Sequence, residues 1–283
     1  MLKTRVITAL IILPIVLVAL FVFPNWAWDF FTMGIALVSC WEWSRFCQFR
    51  SGGKRVYLAL SSALAAVVFF AYLDNRFIDF RQLATAGFIA SALFWFVAAP
   101  LWLANLWRPR SHVIAGVAGW IVIFPTWFAF LILHDESPWL FLSFAFIVWV
   151  ADVFAYFVGK AIGKNKLAPA ISPGKTIQGA LGGMAGVAFY FFVWKILAEQ
   201  SVARGETWAN QLLSHGLWVL GFFVLLGVLS VIGDLFESWM KRGAGMKDSS
   251  GLLPGHGGFL DRIDALTSTL PVACLYILFT TPK

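Results

Sequence analysis

VIAGVAGWIVIFPTWFAFLIL, residues 113–133, runs for 21 positions without a charged side chain. About 20 mostly apolar residues in helical form are what it takes to cross the hydrocarbon of a bilayer, so this stretch reads as a transmembrane helix. Comparable runs lie on both sides of it. Toward the C-terminus they cover residues 139–158, 177–197, 213–232 and 265–279, and toward the N-terminus 84–106, 56–73, 26–40 and 6–23. The composition of the 283-residue chain agrees, with 60% hydrophobic and only 12% charged residues, against roughly 25% charged in a soluble domain. The expected fold is therefore all-α: one polytopic membrane domain over residues 1–283 with about nine transmembrane helices. Disorder, a fibrous repeat and a disulfide-stapled secreted domain are excluded. The three cysteines, Cys40, Cys47 and Cys274, show no metal-ligand spacing.

The net charge of +7 would suggest nucleic acid in a soluble protein, but in a membrane protein its distribution matters more than its size. Lys3 and Arg5 precede the first apolar run. That run is too long for the core of a signal peptide, and no small-x-small cleavage site precedes Pro24, so it is expected to be a retained anchor. With a cytoplasmic N-terminus and nine crossings, 16 of the 21 basic residues fall inside, leaving Arg76, Arg81, Lys195, Arg204 and Lys283 outside. This is the positive-inside asymmetry, and no nucleic-acid partner is needed to explain the charge. The Trp and Phe residues are expected mostly to face lipid or form interfacial belts.

Two inner connections, residues 159–176 and 233–264, combine glycine, proline and charge, as ordered functional loops do. Residues 234–264 hold Asp234, Glu237, Ser238, Lys241, Arg242, Lys247, Asp248, His256, Asp261, Arg262 and Asp264. If the eighth helix continues past the membrane surface, Asp234, Ser238 and Lys241 share one face, and a helix beginning near Asp261 aims Asp261 and Asp264 the same way. Hard cations such as Mg²⁺ take oxygen ligands and share them with substrate phosphates. Three aspartates among lysines and arginines therefore suit a metal and polyphosphate site. The alternative is that these charges solvate a cytoplasmic loop and pair with one another.

In the other loop, Lys160, Lys164, Lys166 and Lys175 accompany Ser172-Pro173-Gly174-Lys175-Thr176 at the start of a helix, where free N–H groups and capping hydroxyls favour a phosphate. It is not a Walker loop, and lysines that set topology explain it as well. Asp152 lies inside the sixth apolar run with Tyr156 and Lys160 on the same face. A carboxylate costs about 2.5 to 3.5 kcal/mol at the bilayer centre, so it needs a partner or a cavity. Asp29 and Glu42 read as interfacial anchors. His112, His134 and His215 read as single residues at helix ends.

Ser238-x-x-Lys241-Arg242, Lys247-Asp248 and Pro254-x-His256-Gly257-Gly258-x-x-Asp261-Arg262-x-Asp264 together resemble the signature of the phosphatidate cytidylyltransferase (CDP-diacylglycerol synthase) family of bacteria. Ser172-Pro173-x-Lys175-Thr176 and Asp152-x-x-x-Tyr156-x-x-Gly159-Lys160 are similar to that family too, as is the many-helix layout. One position departs from it: Gln178 stands where an acidic residue is common. The resemblance implies transfer of cytidylyl from CTP to phosphatidic acid, giving CDP-diacylglycerol and pyrophosphate in phospholipid synthesis. It implies Mg²⁺, alone or with a second cation, held by Asp234, Asp261 and Asp264. Lys241, Arg242, Lys247, Asp248, His256 and Arg262 are then expected in the catalytic machinery, with Asp152, Tyr156, Lys160, Ser172, Lys175, Thr176 and Ser238 binding substrate. A multi-pass inner-membrane protein, acting as a homodimer with its site facing the cytoplasm, is the implied setting. A secondary transporter is the alternative class, since many spans and an intramembrane aspartate also suit one, although the acids here collect at one face and no inverted repeat is visible.

Overall fold

The structure is a computed structural model that describes residues 2–74, 78–109 and 111–280, with the backbone alone for residues 2–6. Arg76, Arg110 and Lys283 and the side chains of Lys3 and Arg5, all counted in the charge asymmetry, lie outside the described residues. The described residues are mostly helical, with one short hairpin and a long loop before the last helix. In order it forms α1 (Leu2–Phe21), α2 (Asn25–Phe46), α3 (Ser51–Leu73), α4 (Phe80–Leu93), a π-helical turn (Phe94–Ala98), α5 (Ala99–Ala104) and α6 (His112–Glu136). There follow α7 (Pro138–Ile162), strands β1 (Lys166–Ala168) and β2 (Ser172–Thr176), α8 (Ile177–Ala203), α9 (Thr207–Ser214), α10 (Trp218–Gly243) and α11 (Leu260–Thr280).

Among the described residues, seven helices are long and apolar enough to cross a membrane: α3, α4 through α5 as one unit, α6, α7, α8, α10 and α11. They coincide with the third to ninth expected spans. The first two expected spans also fall on helices, but the apolar part of α1 that is described, Ile7–Phe21, is short. α2 carries Asp29, Glu42 and Arg45. Two differences follow from local chemistry. The connection between α8 and α10 contains α9, a short amphipathic helix that buries Trp208, Ala209 and Leu212. The connection at 159–176, expected to be an ordered loop, contains an antiparallel hairpin, with Lys166 opposite Thr176 and Ala168 opposite Ser172.

α6 is the centre, with 78% of its apolar window buried, and α2, α4, α7 and α11 pack around it. The expectation that most aromatics face lipid is met only in part. Trp43, Trp95, Trp127, Trp194, Phe88, Phe144, Phe223 and Phe236 are fully buried, while Trp26, Phe70, Phe157, Phe189 and Trp218 are among those at the surface. Bulky rings fill the interior because glycines make room for them. Trp43 lies so close to Gly119 that a Cβ there would meet its ring at 2.3 Å, and its indole N–H donates to the carbonyl of Ala115 at 2.8 Å. A buried indole needs such an acceptor.

Against this core, α7 packs on α8 and α10 on α11. The α8 sequence Gly179-x-x-Gly182-Gly183-x-x-Gly186 lets α7 approach closely: a Cβ at Gly182 would collide with Val158 and one at Gly186 with Phe154. Small residues at a crossing are how helices associate where lipid removes the hydrophobic drive. The result brings the C-terminal ends of α2, α7 and α10, the hairpin, and the N-terminal ends of α8 and α11 to one end of the molecule.

Candidate active site

A cavity of about 470 Å³ opens at that end between α7, the hairpin, α8 and α10. Asp152, Tyr156 and Lys160 reach it from successive turns of α7, Ser172, Lys175 and Thr176 from β2, and Asp234 from α10. Seven residues singled out in the sequence, drawn from three separate stretches, therefore meet in one space. Thr176 caps α8, its hydroxyl accepting the Gly179 N–H at 3.1 Å, so β2 runs straight into the helix. Lys175 pairs with Asp234 across the cavity. Ser238, one turn on along α10, donates to the other oxygen of Asp234 at 3.3 Å, as the expected shared face requires. Asp152 lies within electrostatic reach of Asp234, Lys175 and Arg262. The intramembrane carboxylate thus faces a cavity with cations at hand rather than lipid alone.

The second group lies beside the first. Lys241 on α10 is tied by hydrogen bonds to Glu237 at 2.6 Å and Asp261 at 2.5 Å. The other oxygen of Asp261 accepts from the Ser249 N–H at 2.8 Å, the Ser249 hydroxyl at 2.9 Å and the Gly258 N–H at 2.8 Å. Both Asp261 oxygens are thus engaged within the protein. Asp264 has one oxygen on the N–H of Ala265 at 2.8 Å, and Asp234 is the strongest of its acidic neighbours. Asp261, Asp264 and Asp234 do not converge: among the described residues, no three acids, histidines or cysteines form a group able to hold a metal. The donor chemistry fits Mg²⁺ in part, through Asp234 and Asp264, because Mg²⁺ is commonly bound by one or two carboxylates together with substrate phosphates. Asp261 fits a different task, that of a latch between α10, α11 and the loop.

The remaining signature residues are placed apart from the cavity. Arg242 is exposed at the end of α10, donating to the Met246 carbonyl at 3.3 Å, and Lys247 and Asp248 are exposed on the exit from that helix. His256 sits in a tight turn where its N–H donates to the Leu253 carbonyl at 2.8 Å and Leu253 bridges to Gly257. The buried Nδ1 of His256 has no partner among the described residues. Gly257, at φ +84°, lies so close to Asp261 that a Cβ would meet its carboxylate at 2.4 Å, so the glycine serves both the turn and the latch.

Glu42 was missed. It is not an interfacial anchor: it is fully buried and holds the signature loop. Its carboxylate accepts from the Ser250 hydroxyl at 2.5 Å, the Ser249 hydroxyl at 3.1 Å, and the N–H groups of Phe259 at 3.0 Å and Leu260 at 2.7 Å. An acid among aromatics near the end of an apolar run was the only available signal, and nothing local names a partner more than 200 residues away. Gln178, by contrast, accepts the N–H groups of Lys164 and Asn165, both at 3.1 Å. A carboxylate at that position could fill this acceptor role too.

A polytopic helical protein that gathers acids, lysines and capped backbone around a cavity at one end of its bundle is equipped to bring a phosphorylated lipid and a polyphosphate together. Comparison gives the class a name: the chain belongs to the cytidylyltransferase family, whose model matches residues 3–280. It is 36% identical over 279 residues to a phosphatidate cytidylyltransferase of Pseudomonas aeruginosa, covering 96% of this chain and 95% of that one. It is 32% identical over 303 residues to the enzyme of that name from Haemophilus influenzae, covering 99% of each. A phosphatidate cytidylyltransferase of Thermotoga maritima is 40% identical over 135 residues, 46% of this chain and 45% of that one. None of these similarities supports the transporter alternative.

Proposed function

We propose that this chain condenses CTP with phosphatidic acid to give CDP-diacylglycerol and pyrophosphate. Family membership over nearly the whole chain supports this reading, and one observation carries it: Asp152, Lys175 and Asp234 line a single cavity. The nucleophile is a phosphate monoester, whose second pKa of about 6 leaves it largely dianionic at neutral pH. No strong general base is required. An oxygen of phosphatidic acid forms a bond to the α-phosphorus of CTP. The bond from that phosphorus to the bridging oxygen breaks, and pyrophosphate leaves with the electron pair.

The difficulty is electrostatic, since two polyanions must meet. Lys175 is free to exchange Asp234 for a phosphate oxygen, and Lys160 and Arg262 add positive charge beside Asp152. Fixed cations aimed at developing phosphoryl charge supply stabilisation without reorganisation. The Thr176-capped start of α8 adds backbone dipole. Asp234 and Asp264 would hold Mg²⁺, which would supply further charge neutralisation to the phosphates. Tyr156, exposed on α7 beside the cavity, is placed to meet a lipid headgroup. Nine crossings, with α1 and α2 added to the seven long apolar helices, put the cavity on the cytoplasmic face of the bacterial inner membrane, where CTP is available.

Purified protein in detergent, given phosphatidic acid, Mg²⁺ and CTP labelled at the α-phosphate, should move label into the lipid fraction, and EDTA should abolish it. Label in lipid-free CMP alone, or none with any nucleotide in folded protein, contradicts the reading.

A further inference from the structure

Glu42 is a fully buried carboxylate with four donors around it, and it sits outside the cavity. Burying a carboxylate costs several kcal/mol unless its lone pairs are filled. Here the Ser250 hydroxyl and two backbone N–H groups donate to it, and the Ser249 hydroxyl lies within reach as a fourth donor. Phe259 and Leu260 stand at the entry to α11, where N–H groups lack partners within the helix and the helix dipole favours negative charge. α2 therefore provides a cap, across the fold, for the helix that carries Asp261 and Asp264.

The cap is continuous with the reactive side. The Ser249 hydroxyl lies 3.1 Å from Glu42 and 2.9 Å from Asp261, and its single proton serves one of them at a time. Asp261 passes the connection to Lys241. Arg45, three residues after Glu42, binds the Ser249 carbonyl at 2.6 Å, and Thr8 of α1 binds the Pro254 carbonyl at 2.7 Å. Gly258 completes the fit, since a Cβ there would meet both the Glu42 carboxylate and the Ser249 hydroxyl at 2.1 Å. Backbone held at both ends of the loop by α2 fixes where Lys241 and Asp264 stand relative to the cavity.

We propose that Glu42 is a positioning residue for cytidylyl transfer: it holds the start of α11 and the 249–258 loop in register, and so sets Lys241 and Asp264 against the cavity that binds the lipid. This rests on the reading of the site given above. It predicts a particular kinetic signature, because a misplacement of about 1 Å at a reacting group can cost around 10²-fold in rate, while phosphatidic acid is bound by other residues.

The test uses the full chain in detergent micelles. Transfer of α-labelled cytidylyl is measured for wild type, E42A, E42Q and S250A, each checked for thermal unfolding and monodispersity. E42A should lose about 10²-fold in kcat with KM for phosphatidic acid within about threefold, and E42Q, which keeps one acceptor oxygen for the α11 amides, should recover about tenfold. S250A, which removes one donor of four, should lower kcat about threefold with the unfolding temperature nearly unchanged. Wild-type kcat in E42A overturns the proposal. So does loss in E42A and E42Q that merely tracks the folded fraction, with S250A at the wild-type rate. Absence of label transfer by folded wild type is a different result, since it defeats the reading of the site and not the role of Glu42.

Discussion

The cavity and the signature loop stand side by side but are built by opposite means. The cavity collects side chains from α7, β2 and α10 whose charges face space: Asp152, Lys160, Lys175 and Asp234. The loop turns its charges inward, spending Glu42, Asp261 and Lys241 on one another and on backbone. Charges that face a cavity are available to a ligand, whereas charges already engaged within the protein hold shape. A dense motif in sequence thus divides in space into groups that meet substrate and groups that keep those groups in place. Substitution experiments should separate the two.

The largest effect is expected at Asp234, which lines the cavity, pairs with Lys175 and is placed to share a cation. D234N should lower kcat by about 10³-fold or more while leaving thermal stability close to wild type, because an ion pair that is partly exposed to an open cavity contributes little to folding. Label transfer and thermal unfolding measured on the same preparation check it. A fully active D234N would remove the cavity from the chemistry.

K175M follows, with a loss of about 10² to 10³-fold, the range for deleting one donor to developing charge. Its KM for CTP should rise too if Lys175 exchanges Asp234 for phosphate in the ground state. A change in KM for phosphatidic acid alone would assign Lys175 to the lipid instead.

Asp261 and Asp264 offer the sharpest version of the comparison, because sequence spacing treats them alike while the structure gives them different hydrogen-bond surroundings. D264N should raise the Mg²⁺ concentration needed for half-maximal rate. D261N should leave that requirement unchanged but lower kcat and cost about 1 to 3 kcal/mol of stability, as expected when a buried acceptor of several donors is weakened. A matching shift in Mg²⁺ requirement in both variants would restore the three-aspartate metal site.

The division explains what could be read in advance. Hydropathy runs located the long helices because the bilayer imposes both length and composition. Asp152 stood out because an acid in an apolar run must have a reason, and Lys175 because proline and glycine precede it at a helix start. The hairpin could not be read from Lys166-Leu167-Ala168, which is too short for alternation to show. Glu42 could not be read because its meaning lies in Ser249, Ser250 and the start of α11, and a single sequence carries no sign of that pairing. The buried aromatics failed for a related reason: composition does not say which face of a spanning helix is lined by the glycine that accommodates a ring, as Gly119 accommodates Trp43.

The smallest effect is expected at Gln178, where the family resemblance leads one to expect an acidic residue. Gln178 accepts two N–H groups of the segment that leads from α7 into the hairpin, and it is not among the residues that line the cavity. A carboxylate at 178 would accept the same two donors, more strongly because the acceptor is charged. Q178E should therefore keep kcat within about twofold of wild type and the Mg²⁺ requirement unchanged, while Q178A should lose about 1 kcal/mol or less in stability, since water can replace an accessible acceptor. If Q178E instead lowers the Mg²⁺ requirement, the position reaches the metal in the working enzyme. The line between groups that face the cavity and groups that hold its walls would then have to be redrawn to include the start of α8.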